Sequence, residues 1–418
     1  MSDQTDNTSK RRSILKGIGA LSVALTTPAM TGSALGMAEG NSDEGEQPHT
    51  ISEPIARRIA KSRVEHNSTR EQFSRLGLGR LAQPELFYSV SEDRTYSPAA
   101  WVYPIKTASK EVGHIAVSAR PDSPGIIRCS TGRSPQTQLR HTRTLRSEDR
   151  RTQDGSRFIY NNPMSFGIEI QMTNVEDAEV AEGGESAFVD LKHGFTASID
   201  AVANPKSDTQ ANGASTVDLT EIKEAEDTSF GPLSTGSISG VPNWDADQCG
   251  TNWVGCTPAA SSMCIGYHED ISSRDCDLMW ELNDLMGTNS DGETLPYNPI
   301  GKDFIDGIEE YNSSYSASNT VSERRSEIKN QINSGNPCLL GHWFNSSIDK
   351  SVIKSPKDLL ELPVGHSETA YEYEEDDSPW YDPTEPTLYV TTYDTYGGVN
   401  EFSLSSTTLL YLVQSIEA

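Results

Sequence analysis

Apolar positions change their period several times along the chain, and each change marks an element. After Ser52, the residues Ile55, Ile59 and Val64 recur at helical spacing in ISEPIARRIAKSRVEH, which predicts an amphipathic helix with Ser52 as a candidate cap. The runs AAWVYPIKT, VGHIAVSAR, RFIYNN and SFGIEIQM follow, with alternating β-branched and aromatic residues between turn signals, and predict strands. Residues 39–203 therefore read as a small α+β domain. Over 204–240 large apolar side chains become scarce and Ser, Thr, Asp, Glu and Gly dominate, the composition of a disordered, exposed linker that is open to proteolytic cleavage. The last segment, 241–418, opens on a loop and passes into TPAASSMCIGYHE. There Pro258 suits a first helical turn, and Ala260, Met263 or Cys264, and Tyr267 fall at helical spacing. Near the C-terminus, LPVGHSETAYEYEED and LYVTTYDTYGG read as strands, the second ending in a glycine turn.

The first residues carry a different signal. In SKRRSILKGIGALSVALTTPAMTGSALGMAEG, paired Arg11 and Arg12 precede a short, weakly apolar run and then small residues around Ala34 to Ala38. This is the pattern of a twin-arginine export signal over 1–38, and it predicts a secreted or cell-surface protein. Thr, Pro and Gly interrupt the run, and no other segment approaches the ~18 apolar residues of a membrane helix, so no membrane span is expected.

Charge narrows the partners. The formal balance is 34 − 61 = −27, and from Gly236 to Ala418 there are 8 Lys and Arg against 30 Asp and Glu. Such a surface repels nucleic acid. Dense carboxylates with few lysines suit a protein that works hydrated in high salt, where screening removes the self-repulsion, as in haloarchaeal proteins.

Candidate chemistry lies in DQCGTNWVGCTPAASSMCIGY, residues 247–267. Cys256 stands at the N-terminus of the predicted helix, where the partial positive charge favours a thiolate, the nucleophilic form. Cys264, two turns further in, is expected to pack. His366 is the candidate general base, at the start of a strand. Asp394, at a strand end before an aromatic residue and two glycines, is the candidate for orienting the imidazole. Gln248 offers an amide that, with the Cys256 N–H, would stabilise an oxyanion, and Asn252 is an alternative to it. Asp382 competes with Asp394 from a Pro-flanked turn. His342, in LLGHWFN, resembles His366 locally but lacks a following Asp-Thr-Tyr-Gly element, and His268 suits a helix C-terminus. Five cysteines after residue 240 leave at least one thiol outside any disulfide. No Cys-x2-Cys pair occurs and the histidines are scattered, so neither a metal nor another cofactor is expected.

The three motifs CTPAASSM, VGHSETAY and YDTYGG, in that order, resemble those of the papain-like cysteine peptidases, especially the C39-like branch, over about 180 residues from Val241 to Ala418. The resemblance implies a nucleophile helix packed on an antiparallel sheet. It also implies hydrolysis of peptide bonds in a peptide or protein substrate through a thioester, with Cys256 as nucleophile, His366 as base and acid, Asp394 as orienting residue and Gln248 as oxyanion donor. It departs from the family in the long acidic insertion between His366 and Asp394 and in the eight-residue step from Gln248 to Cys256. Residues 39–203 weakly resemble the pro-regions of secreted cysteine peptidases, which would make this region an inhibitor of its own chain; the alternative is a retained domain that binds substrate or the cell surface. An amidase or transferase using the same thiolate, and a non-catalytic binding module, are the competing functions.

The acidic surface makes a direct prediction. The melting temperature is expected to fall when KCl is lowered from molar to millimolar, because unscreened carboxylates repel over a longer Debye length. Equal melting temperatures in both would refute the high-salt interpretation.

Overall fold

Two hydrogen bonds fix the start of the first helix: Trp101 Nε1 donates to the Ile51 carbonyl (2.9 Å) and the Tyr103 hydroxyl to the Glu53 carbonyl (3.0 Å). Helix α1 (Glu53–Asn67) follows as the apolar spacing predicts, burying Ile55, Ile59 and Val64. Ser52 holds the N-cap position in extended conformation, but its side chain makes no capping bond; Pro54 in the first turn, which lacks an N–H, lightens the need for one.

The computed structural model describes residues 50–91, 93–121, 125–138, 157–163, 165–171, 186–192, 196–203, 232–250, 254–289, 292, 294, 302–320, 324–343, 365–376, 386–404 and 411–418. The export signal predicted over 1–38, the alternatives Asn252 and Asp382, and residues 204–231 of the predicted linker lie outside them.

The architecture is α+β. The predicted strands appear as β3 (Tyr96–Lys106), β4 (Glu111–Ser118), β6 (Phe158–Asn162) and β7 (Ser165–Gln171), and less conspicuous segments add β2 (Glu85–Val90), β5 (Ile126–Ser130), β8 (Ser186–Asp190) and β9 (Thr196–Ser198). The C-terminal half supplies β11 (Ser316–Thr320), β12 (Cys338–Trp343), β13 (Gly365–Asp376), β14 (Thr387–Tyr393), β15 (Val399–Leu404) and β16 (Tyr411–Glu417). All join one sheet in the order β11-β16-β12-β13-β14-β15-β5-β4-β3-β2-β6-β7-β8-β9, and the short β1 (Arg80–Leu81) pairs antiparallel with β3 beside that order. Residues 232–237, which composition places in the linker, form β10 (Pro232–Ser237), paired antiparallel with β13. Main-chain bonding to a strand decides that segment, with little help from side chains.

The two halves meet where β15 pairs with β5 in the register Asn400↔Ser130, Glu401↔Cys129 and Phe402↔Arg128. Alternation then divides the C-terminal layers. Leu339 and Ile416 face helices α2 (Cys256–His268), α3 (Cys276–Leu285) and α4 (Phe304–Tyr311), whereas Cys338, Leu340 and Val413 face α5 (Arg324–Asn333) through Ile328 and Ile332. No helix among the described residues is long and apolar enough to cross a membrane.

Helix α1 reaches across the junction with charge as well as apolar surface. Its core is shared with Tyr389 and Val399. Buried Arg63 donates to Glu401 (2.9 Å) and Glu374 (2.7 Å), Asn67 donates to Glu401 (2.8 Å), and Arg70 pairs with Glu372 (2.9 Å) and Glu401 (2.5 Å). Burial by itself would raise the Glu401 pKa, yet Arg63 and Arg70 outweigh it and hold the carboxyl down at about 2. Because the folded value is depressed, the stabilisation is complete above the unfolded value of ~4.3 and is lost as pH falls through the folded one. In molar salt, tertiary structure is therefore expected to weaken between about pH 4 and pH 2, by about 3 kcal/mol from this group. Near-UV circular dichroism against pH measures it, and Glu401→Gln, already weaker at pH 7, should show a flatter loss in that window.

Candidate active site

The thiol at the centre of this site owes its position to a glycine. Gly255 has φ 94°, and a Cβ there would lie 2.9 Å from the Gly292 carbonyl oxygen and 3.0 Å from Thr288, so only glycine makes this turn without strain. The turn delivers Cys256 to the first position of α2, partly exposed, while Ala259, Ala260, Met263, Cys264 and Ile265 bury the helix behind it. Two bonds lock α2 to β13: Thr257 and Ser367 hydroxyls at 2.9 Å, and Thr369 Oγ1 donating to the Ala260 carbonyl at 3.0 Å. A disulfide between Cys249 and Cys276 ties the loop before the helix to the start of α3.

His366 stands at the beginning of β13, beside Cys256. Burial would raise the Cys256 pKa, but the His366 ring, the Ser367 main chain and the Thr257 hydroxyl together bring it below the ordinary thiol value. The thiols of Cys129, Cys264 and Cys338 are buried and shifted the other way by burial, Cys129 and Cys338 up to about 12. Cys264 and Cys338 are thus reduced packing residues, and cysteine parity does not single out Cys256; its exposure and its histidine neighbour do.

The carboxylate beside the imidazole is Glu368, with Oε1 3.6 Å from His366 Nε2. Two residues apart on a strand, these side chains share a face. Glu368 is fully buried and accepts from both Asn400 Nδ2 (2.8 and 2.9 Å) and the Thr392 hydroxyl. Burial opposes its ionisation, but Lys192, His366 and Arg128 hold its pKa well below the usual carboxylate range.

Asp394 lies in the turn after β14, behind Glu368. It accepts from the backbone N–H groups of Tyr396 (2.8 Å) and Gly398 (3.0 Å) and from Lys192 Nζ (3.1 Å), and Asn400 Nδ2 is 3.5 Å away. Burial raises its pKa, and Lys192 and the Gly398 N–H more than compensate. Tyr396, in the same turn, stacks on His366 at 5.9 Å between centroids, with rings 19° from parallel. Gln248 is exposed; its Nε2 donates to Asp245 (2.6 Å), whose backbone bridges to Tyr396, and its Oε1 accepts from Arg274 (2.7 Å). Of the four residues expected from sequence, Cys256 and His366 meet directly, Asp394 joins through Glu368, Asn400 and Lys192, and Gln248 sits on the loop surface.

His342 is the cross-strand neighbour of His366 and is buried, with neither ring nitrogen hydrogen-bonded. Burial pushes its pKa down to about 3 and so keeps it neutral. His268 closes α2, as expected. Among the described residues no group of three or more His, Cys, Asp or Glu is placed to hold a metal ion. Glu368 is marked in the sequence only by the period of two in HSE. Lys192 and Arg128 carry no local signal, because they arrive from the other half of the chain.

No protein-family profile, curated protein sequence or solved structure matches the chain.

The site predicts selective alkylation. Iodoacetamide at neutral pH in molar KCl should label Cys256 ahead of Cys129, Cys264 and Cys338, and His366→Ala should slow that labelling by roughly tenfold, the effect of about one unit in thiol pKa. Peptide mapping after timed quenching measures both. Uniform labelling of all four thiols in the folded protein would refute a privileged Cys256.

Proposed function

We propose that the chain is an exported cysteine peptidase with a papain-like, C39-like catalytic half at 241–418, acting through Cys256. The observation that carries this is the pairing of a partly exposed cysteine at a helix N-terminus with His366, whose Nε2 in turn faces buried Glu368 at 3.6 Å. In this mechanism the Cys256 thiolate attacks the substrate carbonyl carbon, and the oxyanion that forms is met by first-turn amides of α2, which have no acceptor within the helix. The His366 imidazolium gives its proton to the leaving amine as the C–N bond breaks, leaving a thioester on Sγ. Water then adds to the thioester with His366 taking its proton, and the acid departs as the thiolate re-forms. Glu368 is assigned the orienting role at His366, with Asp394 as its support from behind. Gln248 Nε2 donates one hydrogen to Asp245 and keeps a second N–H, which is assigned the oxyanion-donor role beside the Cys256 amide.

Hydrolysis of a fluorogenic peptide mixture by the full chain in molar KCl tests the assignment. Cys256→Ala should abolish turnover, and His366→Ala should lower kcat/KM by about 10²–10⁴-fold. Glu368→Gln is expected to cost more than Asp394→Asn, because it removes the charge nearest the ring. Turnover that survives Cys256→Ala excludes a thiol mechanism. Transfer products that outweigh hydrolysis when an amine acceptor is added would instead make the protein a transferase on the same thiolate.

A further inference from the structure

The geometry points to Lys192, supplied by the N-terminal half, as a positioning residue that balances the charge of the carboxylate pair behind His366. This rests on Cys256 and His366 forming the reactive pair. Lys192 follows β8, and its Nζ lies 3.1 Å from Asp394 Oδ2 and 3.5 Å from Glu368 Oε1. The same ammonium sits 5.5 Å from the centroid of the Tyr396 ring, the ring stacked on His366. It therefore touches both carboxylates and the aromatic face that confines the imidazole. The Lys192 backbone is held in turn, its N–H donating to Asp190 (3.0 Å), whose other oxygen accepts from Ser165 (2.8 Å).

The charges around the pair can be counted element by element. Glu368 from β13, Asp394 after β14 and Asp190 from β8 are negative; Arg128 from β5 and Lys192 are positive. Arg128 acts through Asn400, donating to its Oδ1 at 2.7 Å while that amide serves Glu368. Buried His342 on β12 and His114 on β4 stay neutral, each pushed by burial down to about 3. Asp247 on the loop before α2 is solvent-exposed. Three negative groups against Arg128 and the partly buried Lys192 leave one formal negative charge behind the His366 ring. Without Lys192 there would be two, in a setting that screens poorly, and an added negative charge disfavours a thiolate while favouring its protonated partner.

The test is the pH dependence of Cys256 alkylation by iodoacetamide in the full chain in molar KCl, which requires no substrate and so judges Lys192 whether or not a peptide is ever cut. Lys192→Met should move the midpoint of thiolate formation upward by on the order of one pH unit, and Lys192→Arg should hold it at the wild-type value. The double variant Lys192→Met with Asp394→Asn, which restores the charge count, should return the midpoint to wild type. A folded Lys192→Met protein with an unshifted midpoint overturns the proposal. If Lys192→Met does not fold, the double variant decides: a folded protein with the wild-type midpoint supports charge balance, while an unfolded or shifted one makes Lys192 a packing residue and overturns it.

Discussion

A single cation, Lys192, stands between two carboxylates that would otherwise repel each other inside the protein, and the geometry around Cys256 depends on that contact. Glu368 and Asp394 are both buried and share Asn400 as a donor. Two such groups ionise together only where opposite charge and hydrogen-bond donors outweigh desolvation. Lys192, Arg128 acting through Asn400, Thr392 and the N–H groups of the Asp394 turn supply those donors. His366 then faces an oriented carboxylate on one side and the Tyr396 ring on another.

The described residues before 204 are joined to the C-terminal half by strand pairing, a shared core and buried ion pairs. A pro-region is a cover that can leave. Here the N-terminal half continues the same sheet through β5 and β15, shares a core with Tyr389 and Val399, and inserts Arg63 and Arg70 among Glu372, Glu374 and Glu401. Its departure would bare the β15 edge, strand several buried carboxylates without partners and strip Lys192 and Arg128 from behind the imidazole. Removing one member of a buried ion pair typically costs about 3–5 kcal/mol, and several would be broken at once. Any maturation that removed this half would have to break those pairs and that strand pairing.

Local pattern carried the sequence analysis as far as local physics extends. Helical spacing in ISEPIARRIAKSRVEH and TPAASSMCIGYHE, and alternation in AAWVYPIKT and SFGIEIQM, correspond to α1, α2, β3 and β7, because each periodicity reports one element burying one face. The pairing of β5 with β15 had no such marker; it joins segments some 270 residues apart, and Arg128 on β5 and Lys192 after β8 come to the site from its far side. β10 was missed for a related reason, since PLSTGS has almost no apolar content and is held by its hydrogen bonds to β13. Glu368 was legible in principle: on a strand beginning at Gly365, residue 366 shares a face with 368, whereas Asp394 attracted attention through the glycines beside it.

What separates Cys256 from the other free thiols is the balance between desolvation and local charge. Cys264 and Cys338 lie in apolar cores and Cys129 is buried beside Glu401, Asn67, Arg63 and Arg70; in all three, burial is the largest influence and favours the neutral thiol. Cys256 also suffers desolvation, but it alone stands at the first turn of a helix against an imidazole, and there the shift reverses sign. That reversal requires His366 to remain close and correctly turned, which the Thr257 and Thr369 bonds between α2 and β13 secure from one side and Glu368 from the other. Glu368 is in turn held by residues from both halves of the sheet. The surroundings of one sulfur thus include groups brought in by a strand pairing that its neighbouring sequence does not announce.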